Sequence, residues 1–429
     1  MRAVALVLLL ALQDPASWVE QLGSDDITVR QRAAAALRDL GPAARPALEK
    51  AAKSDDLEIR ARARTILGDI AIAEQRATSL GPTQRVTLPA GEHALSAVVE
   101  GIKEQTGAVL RIPADRQGDH VTTEEARSVP LLEFVDRLCR AHGGMALAPK
   151  QPMEAIELVS GRPWKAPTRY DGPFRVSIDR IRLEDRDGFD ERYERGSFVF
   201  HVSWQPNVRP IMSAYSAGTA RLTVTEIVGD DDQPLEINPS LKQPYSGSMG
   251  GSDFGRVIRR FVPFQRPAAG VRRLSRVRGH VEVLLPLKIE TITFKNPVEG
   301  GEQKRKAGDY TLSLLKCEST ALGIAAQIHI EAPVEAEENP GKSQQLVELR
   351  ARYDPGGFEL VGSDGKVQRA PSTRSAHASG TDADGRRTES QDEHIFFQGA
   401  APPAELRFRM ITDYFDRRIE FEFKDVELP

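Results

Sequence analysis

Residues 405–428, ELRFRMITDYFDRRIEFEFKDVEL, read as a strand pair that organises the rest of the chain. Ile419, Phe421 and Phe423 alternate with Arg418, Glu420 and Glu422, so one face is apolar and the other charged. That period of two marks a strand half-buried in an antiparallel sheet. An earlier counterpart spans residues 278–298, RGHVEVLLPLKIETITFKNPV. At one fixed offset Val281 matches Met410, Leu285 matches Tyr414, Ile292 matches Phe421 and Phe294 matches Phe423. A second echo lies upstream of each: EIVGDDD from Glu226 resembles ELVGSDG from Glu359. The chain from about residue 172 onward is therefore expected to hold two copies of one β-domain.

A chain of 429 residues exceeds one core and predicts three or four domains. A net charge of −4 with 28% charged residues gives no global field that points to nucleic acid. Cys139 and Cys317 fall in different expected domains and read as small buried apolar residues rather than a disulfide. Met1 and Arg2 precede an apolar run, residues 3–12, and then polar Gln13-Asp14-Pro15. That is a secretory signal pattern, assigned to residues 1–14, and too short for the ~20 residues a bilayer span needs. The reading is an exported protein, periplasmic or extracellular, with no transmembrane segment beyond the signal peptide.

Residues 16–78 contain a helical repeat. Ser24-Asp25-Asp26-Ile27 with Val29, Arg30, Arg32 and Ala33 recurs as Ser54-Asp55-Asp56-Leu57 with Ile59, Arg60, Arg62 and Ala63. Ser and Asp oxygens ahead of an Ala-rich run cap the free first-turn amides of a helix. Gly41-Pro42 ends the first such helix and Pro46 suits the first turn of the next. The pattern resembles HEAT-type repeats. Two units fall short of an independent solenoid, which implies packing on another domain or partner.

Residues 84–160 predict a small two-layer α+β domain in the order β-α-β-β-α-β. Leu95, Val98, Val99 and Ile102 share a helix face stopped by Thr106-Gly107; Leu131, Phe134, Val135 and Leu138 share a second, stopped by Gly143-Gly144. Ala94-Leu95 with Val98, Gln105-Thr106-Gly107, Val129-Pro130-Leu131-Leu132 and Gly143-Gly144 resemble the short N-terminal domain of secretins, TonB-dependent receptors and anti-sigma regulators. The resemblance implies a protein-contact module at a bacterial envelope and carries no catalytic residue. No barrel pattern follows it, so a transport role is not implied.

A connector, residues 162–173, leads to the two β-domains, assigned to 172–297 and 304–429. In the first, Phe198, Phe200, Val202 and Trp204 alternate with His201 and Ser203. Short strands between Gly/Pro/Asn turns predict antiparallel sandwiches. Residues 238–255 read as a Ser/Gly-rich loop. In the second, Leu312 and Leu314, Ile328 and Ile330, Val347 and Leu349, and Ile395 and Phe397 are the expected inward pairs. Residues 367–393 hold almost no apolar side chains and are expected to be disordered. The fold class is thus multidomain α + β: a short HEAT-like helical repeat, a small α+β domain and two tandem antiparallel β-sandwiches.

The chain carries no H-E-x-x-H, C-x-x-C, G-x-S-x-G or phosphate-loop motif, so no cofactor, metal ligand or catalytic residue is assigned. His201 reads as a solvated strand histidine. Asp230, Asp231 and Asp232 could ligate calcium, but read more simply as an acidic hairpin turn, since the matching Ser363-Asp364-Gly365 keeps one carboxylate. Arg256, Arg259, Arg260, Arg272, Arg276 and Arg278 lie in a run free of acidic residues. Such arginines either bind anions through their planar forks or guard an edge strand and pair with acids next door. The leading expectation is a non-enzymatic envelope or secreted scaffold contacting other envelope proteins. The rivals are a binder of anionic polymers (polysaccharide, lipopolysaccharide or nucleic acid) through the 256–278 strip, and a hydrolase of unrecognised type.

Overall fold

The computed structural model describes residues 14–149, 151–152, 154–163, 166–187, 192–211, 220–237, 257–333, 353–369, 372–381, 387–399 and 403–429. Residues 1–13 of the signal pattern, the loop 238–255, Arg256 and the pair Val347 and Leu349 lie outside this set. The fold is mixed α and β with several antiparallel sheets, in two compact units divided after Leu80.

The first unit is helical: α1 (Pro15–Gln21), α2 (Ile27–Leu40), α3 (Arg45–Ala51) and α4 (Leu57–Leu80). The textual repeat is repeated in atoms. Asp26 Oδ1 caps the Thr28 amide at 2.7 Å, and Asp56 Oδ1 caps those of Glu58 and Ile59 at 2.8 and 3.1 Å. Arg30 and Arg60 each reach back 2.7 Å to the carbonyl of Ser24 or Ser54, locking the turn that precedes the helix. Arginine recurs there because its long fork alone spans a turn to donate to a main-chain oxygen. Leu22, Ala33, Leu37, Leu48, Ala63 and Ile66 form the core between the helices.

The second unit begins with the α+β module. Its helices α5 (Leu95–Thr106) and α6 (Leu131–His142) end at left-handed Gly107 and Gly143, where a Cβ would be strained. Around them lie β1 (Arg85–Leu88) with β5 (Ala126–Pro130), β2 (Gly91–Ala94) with β4 (His120–Thr123), and a sheet of β3 (Val109–Arg111), β7 (Ala155–Ser160) and β6 (Met145–Leu147). β2 and β5 are additions to the expected order; they are short and lack the alternation that reveals longer strands.

Two sandwich-like bodies follow. One sheet runs β12-β10-β9-β8, from β8 (Thr168–Asp171), β9 (Phe174–Asp187), β10 (Arg192–Trp204) and β12 (Val257–Gln265). A second runs β14-β15-β16-β20-β19, from β14 (Gln303–Ala307), β15 (Tyr310–Thr320), β16 (Gly323–Pro333), β19 (Ser372–Thr381) and β20 (Arg387–Gln398). Strand for strand the orders match, with β19 as an addition to the second.

Between them lies the shared sheet β11-β13-β21-β17-β18, from β11 (Ala220–Gly229), β13 (Arg273–Lys295), β17 (Tyr353–Gly362), β18 (Val367–Arg369) and β21 (Pro403–Glu427). β21 is one strand of 25 residues rather than a strand pair, and β13 has 23. Neither Gly279 nor Pro286 ends β13, and each of the two strands continues from one body into the other. The step that takes Phe294 to Phe423 takes the observed pair Val277–Phe423 onto another observed pair, Leu406–Phe294. β13 and β21 are thus related by a local two-fold axis. The same step relates Asn296 to Asp425, and both adopt positive φ, 44° and 50°.

The cores therefore do not divide at residues 297 and 304. The second body's core joins Ile292 and Phe294 of β13 to Leu406, Phe408 and Met410 of β21, over Leu312, Leu314, Ile328, Ile330, Ile395 and Phe397. In the first, Phe421 of β21 lies 5.3 Å from Phe200 of β10. From Val277 onward the buried apolar side chains of β13 change from odd numbers (277, 281, 283, 285) to even ones (292, 294), across a register irregularity between Pro286 and Ile289. A slip of one residue reverses which side chains point inward, and proline is tolerated in strands at such bulges.

Two expectations are corrected. Residues 367–393 contribute β18, β19 and much of β20, instead of disorder. β19 pairs with β20 from Ser372–Phe396 to Thr381–Arg387, and Ile395 and Phe397 anchor that ladder in the core. Composition counts side chains, whereas the ladder is made by backbone groups. His201, expected in solvent, is 7% exposed, because the outer face of β10 is covered: Ser197, Ser203 and Gln205 are buried beside it.

Gly196 shows how closely the first body is packed. A Cβ there would stand 2.3 Å from the ring of its cross-strand partner Phe264, which is fully buried and stacked on Phe198. Gly196→Ala is expected to lower stability by about 1–3 kcal/mol, the usual range for overpacking. A thermal melt unchanged from wild type would mean that the ring can swing aside.

Candidate functional site

Buried polar groups concentrate where α6 meets β9. Asp136 interrupts the apolar face of α6, between Leu132 and Cys139, and is only 9% exposed. Arg175 stands between Phe174 and Val176 on β9, turned to the outer face, and is 4% exposed. Its Nε donates 2.6 Å to Asp136 Oδ2, and its Nη1 donates 2.9 Å to Ser177 Oγ. The Tyr170 hydroxyl donates to the same Asp136 oxygen.

Electrostatics fix the protonation of this cluster. Burial pushes the Arg175 guanidinium down, but the adjoining Asp136 carboxylate more than offsets it, so the cation is held above its ordinary value. Burial and then Asp136 raise the Tyr170 phenol well above its usual range. Burial, reinforced by Asp136, pushes the Cys139 thiol up to about 12. Neither phenol nor thiol is a nucleophile under such conditions, because the reactive form is the anion. The arrangement is suited to holding two elements together.

A second polar seam runs beside it. Gln205, fully buried after β10, accepts from the Gln84 amide at 2.8 Å and donates to the Gln84 carbonyl at 3.1 Å, as a strand partner would. Asn207 donates 3.0 Å to the Pro82 carbonyl. On the far side, Arg417 Nη2 meets both oxygens of Asp171 at 3.1 and 3.0 Å, tying β21 to β8. Sequence reasoning missed Asp136 and Arg175, although a carboxylate at the centre of an apolar helix face was a readable sign. Gln84 and Gln205 carry no such sign.

The arginine strip is divided among several places. Arg276 and Arg278 do share one face of β13, but both meet Glu226 on β11, at 2.8 and 3.5 Å, and Arg278 also meets Glu422 on β21 at 2.8 Å. Arg272 precedes β13 and is exposed. Arg259 and Arg260 lie on β12, in another sheet, where burial holds the Arg260 guanidinium below its ordinary value. The five described arginines of the strip therefore form no continuous cationic face, and Arg256 lies outside the described residues.

The acidic turn has a structural role. Asp231 Oδ1 accepts the Gln233 amide at 3.1 Å, and Asp364 Oδ1 accepts the Lys366 amide at 3.0 Å. The carboxylate that both copies keep is the one that closes the turn. Among the described residues no group of three or more His, Cys, Asp or Glu side chains is placed to hold a metal ion. Cys139 and Cys317 are both buried free thiols. No helix among the described residues is long and apolar enough to cross a membrane.

No protein-family model matches the chain, and no curated protein matches it. Among solved structures, the conserved domain protein from Bacillus anthracis aligns over 60% of this chain and 89% of that chain, at 7% identity and a TM-score of 0.14. A likeness of that degree carries no weight for fold or function.

Proposed function

We propose that the chain is a non-enzymatic, exported scaffold that presents a protein-contact module in a fixed orientation on a pair of interlocked β-bodies. The observation that carries this reading is the double seam between module and first body. Asp136 accepts from Arg175 and Tyr170, and the Gln205 side chain exchanges two hydrogen bonds with the main chain of Gln84 across it. Buried ionic contacts add little net stability, yet they define one geometry, which a scaffold requires. The resemblance of residues 84–160 to envelope contact modules, the HEAT-like repeat and the signal pattern at residues 1–14 agree with it.

Two experiments test this reading. Mass spectrometry of the native protein should find an N-terminus between about residues 12 and 18. An intact Met1 in a cytoplasmic fraction would end the export claim. A photo-reactive side chain at exposed Val109 on β3, and another at exposed Arg180 on β9, should cross-link one shared partner in envelope extract. Unlabelled protein should compete with both. No saturable adduct from either position would sink the scaffold reading.

A further inference from the structure

The helical unit ends on a face that its own repeat uses for stacking. Arg38 of α2 donates 2.7 Å to Asp69 of α4, and Arg45 at the start of α3 meets Glu74, so the second helix pair stacks on the first along that side. One repeat later, the position of Arg38 is taken by Gly68 of α4. The side of α4 that carries Gly68 is therefore where a third pair would stand. The chain supplies none, since the α+β module follows.

On that side Leu57, Ala61, Arg64, Gly68 and Ile72 recur every three or four residues, opposite the buried Ala63, Ile66 and Ile70. Leu57 is 70% exposed and Ile72 45%, and Leu57 continues a row begun by its counterpart Ile27, at 59%. The whole stripe lies within a continuous described stretch, residues 14–149.

An outward helix stripe is ordinarily polar and charged. Here Arg64 carries the charge. It is exposed and has no ion pair or hydrogen bond among the described residues, whereas Arg38, Arg45 and Arg62 each meet a carboxylate. Gly68 stands in mid-helix, where glycine weakens the helix, and an added Cβ would meet nothing within 4 Å. Packing inside the unit gives no reason for glycine there; close approach of another backbone does.

We propose that this face of α4 takes an amphipathic helix of a partner protein, stacked as α4 stacks on α2. Apolar side chains of that helix cover Leu57 and Ile72, and a carboxylate one turn away meets Arg64. The contact continues the interface that already joins the two repeats, in which arginines of one pair meet carboxylates of the next. A second copy of this chain fits less well. An antiparallel α4 that set Leu57 against the other copy's Ile72 would bring the two Arg64 side chains together at the axis, and like charges across an interface repel. The inference goes beyond the scaffold reading, whose contact module is residues 84–160, and gives the chain a second docking surface.

The test uses the full-length chain and a labelled, stapled helical peptide, Ser-Leu-Lys-Ala-Leu-Glu-Ala-Lys-Ile-Gln-Ala-Leu-Lys-Gln, read by fluorescence anisotropy. Binding should weaken about tenfold when Lys replaces Glu in the peptide, or in the R64E variant, and recover when those two changes are combined. Gly68→Leu should also weaken it about tenfold, while leaving the melting temperature of the protein at or above that of wild type, because the helix gains a better former in open space. Amide exchange in α4 should slow with bound peptide. No saturable binding, or binding indifferent to both R64E and Gly68→Leu, overturns the proposal. A concentration-dependent dimer in sedimentation that Gly68→Leu abolishes overturns it too, in favour of a second copy. Either failure, alongside a saturable cross-link from Val109 or Arg180, would leave the scaffold reading standing.

Discussion

Arg175→Met is expected to lower the unfolding free energy of residues 81–429 by about 3–5 kcal/mol, the range for stranding one member of a buried ion pair. Arg175 is 4% exposed and its Nε donates to Asp136 Oδ2 at 2.6 Å. Without it, the carboxylate keeps only the Tyr170 hydroxyl and must be protonated or pull water into the seam. Asp136→Leu combined with Arg175→Met should be less damaging than Arg175→Met alone, because no charge is left behind. The remaining loss, about 1–3 kcal/mol, comes from a Tyr170 hydroxyl without its acceptor. Urea titration followed by the fluorescence of buried Trp204 reads both variants. If the single variant cost less than about 1 kcal/mol, the pair would be solvated like a surface bridge and the seam would not hold the module.

The sequence made some of these features readable because their physics is local. Period-two alternation identified β10 and β21, and the Ser-Asp-Asp caps with their arginines identified the helix starts, since caps and pleats depend on near neighbours. The offset linking Phe294 to Phe423 likewise pointed to a duplication, and the strand orders of the two bodies match. The long crossings of β13 and β21 were not readable. Nothing in a run of alternating residues says which sheet will cover it, so contiguous sequence halves were the natural expectation.

The site was less legible than the fold. The strip of arginines has an obvious signal in one dimension, an absence of acids nearby. Its partners Glu226 and Glu422 are distant in sequence and come alongside Arg276 and Arg278 only when β11 and β21 flank β13. Asp136 and Arg175 are each anomalous in their own elements, a charge among apolar neighbours, but the pairing needs α6 to lie on β9. Charges on apolar faces were thus the better guide, since burying one demands a partner somewhere.

Phe421→Ala should cost about 3–5 kcal/mol, the usual loss for a buried phenylalanine, and the damage should appear far from it in sequence. Phe421 is 4% exposed, lies 5.3 Å from Phe200 and 5.3 Å from Phe423, and covers Gly279, whose added Cβ would meet its ring at 2.6 Å. All but Phe423 of these neighbours belong to the earlier of the two β-copies. Hydrogen exchange should therefore accelerate first in β9, β10 and β12, more than a hundred residues upstream, while β15, β16 and β20 keep more of their protection. Phe294→Ala should do the reverse, since Phe294 sits in the core with Leu312, Ile328 and Phe397. The crossed pattern follows from two strands that each serve both bodies. Faster exchange in β15, β16 and β20 from Phe421→Ala, with β9, β10 and β12 unaffected, would mean that each body is held by its own half of the sequence and that the strand exchange has no energetic weight.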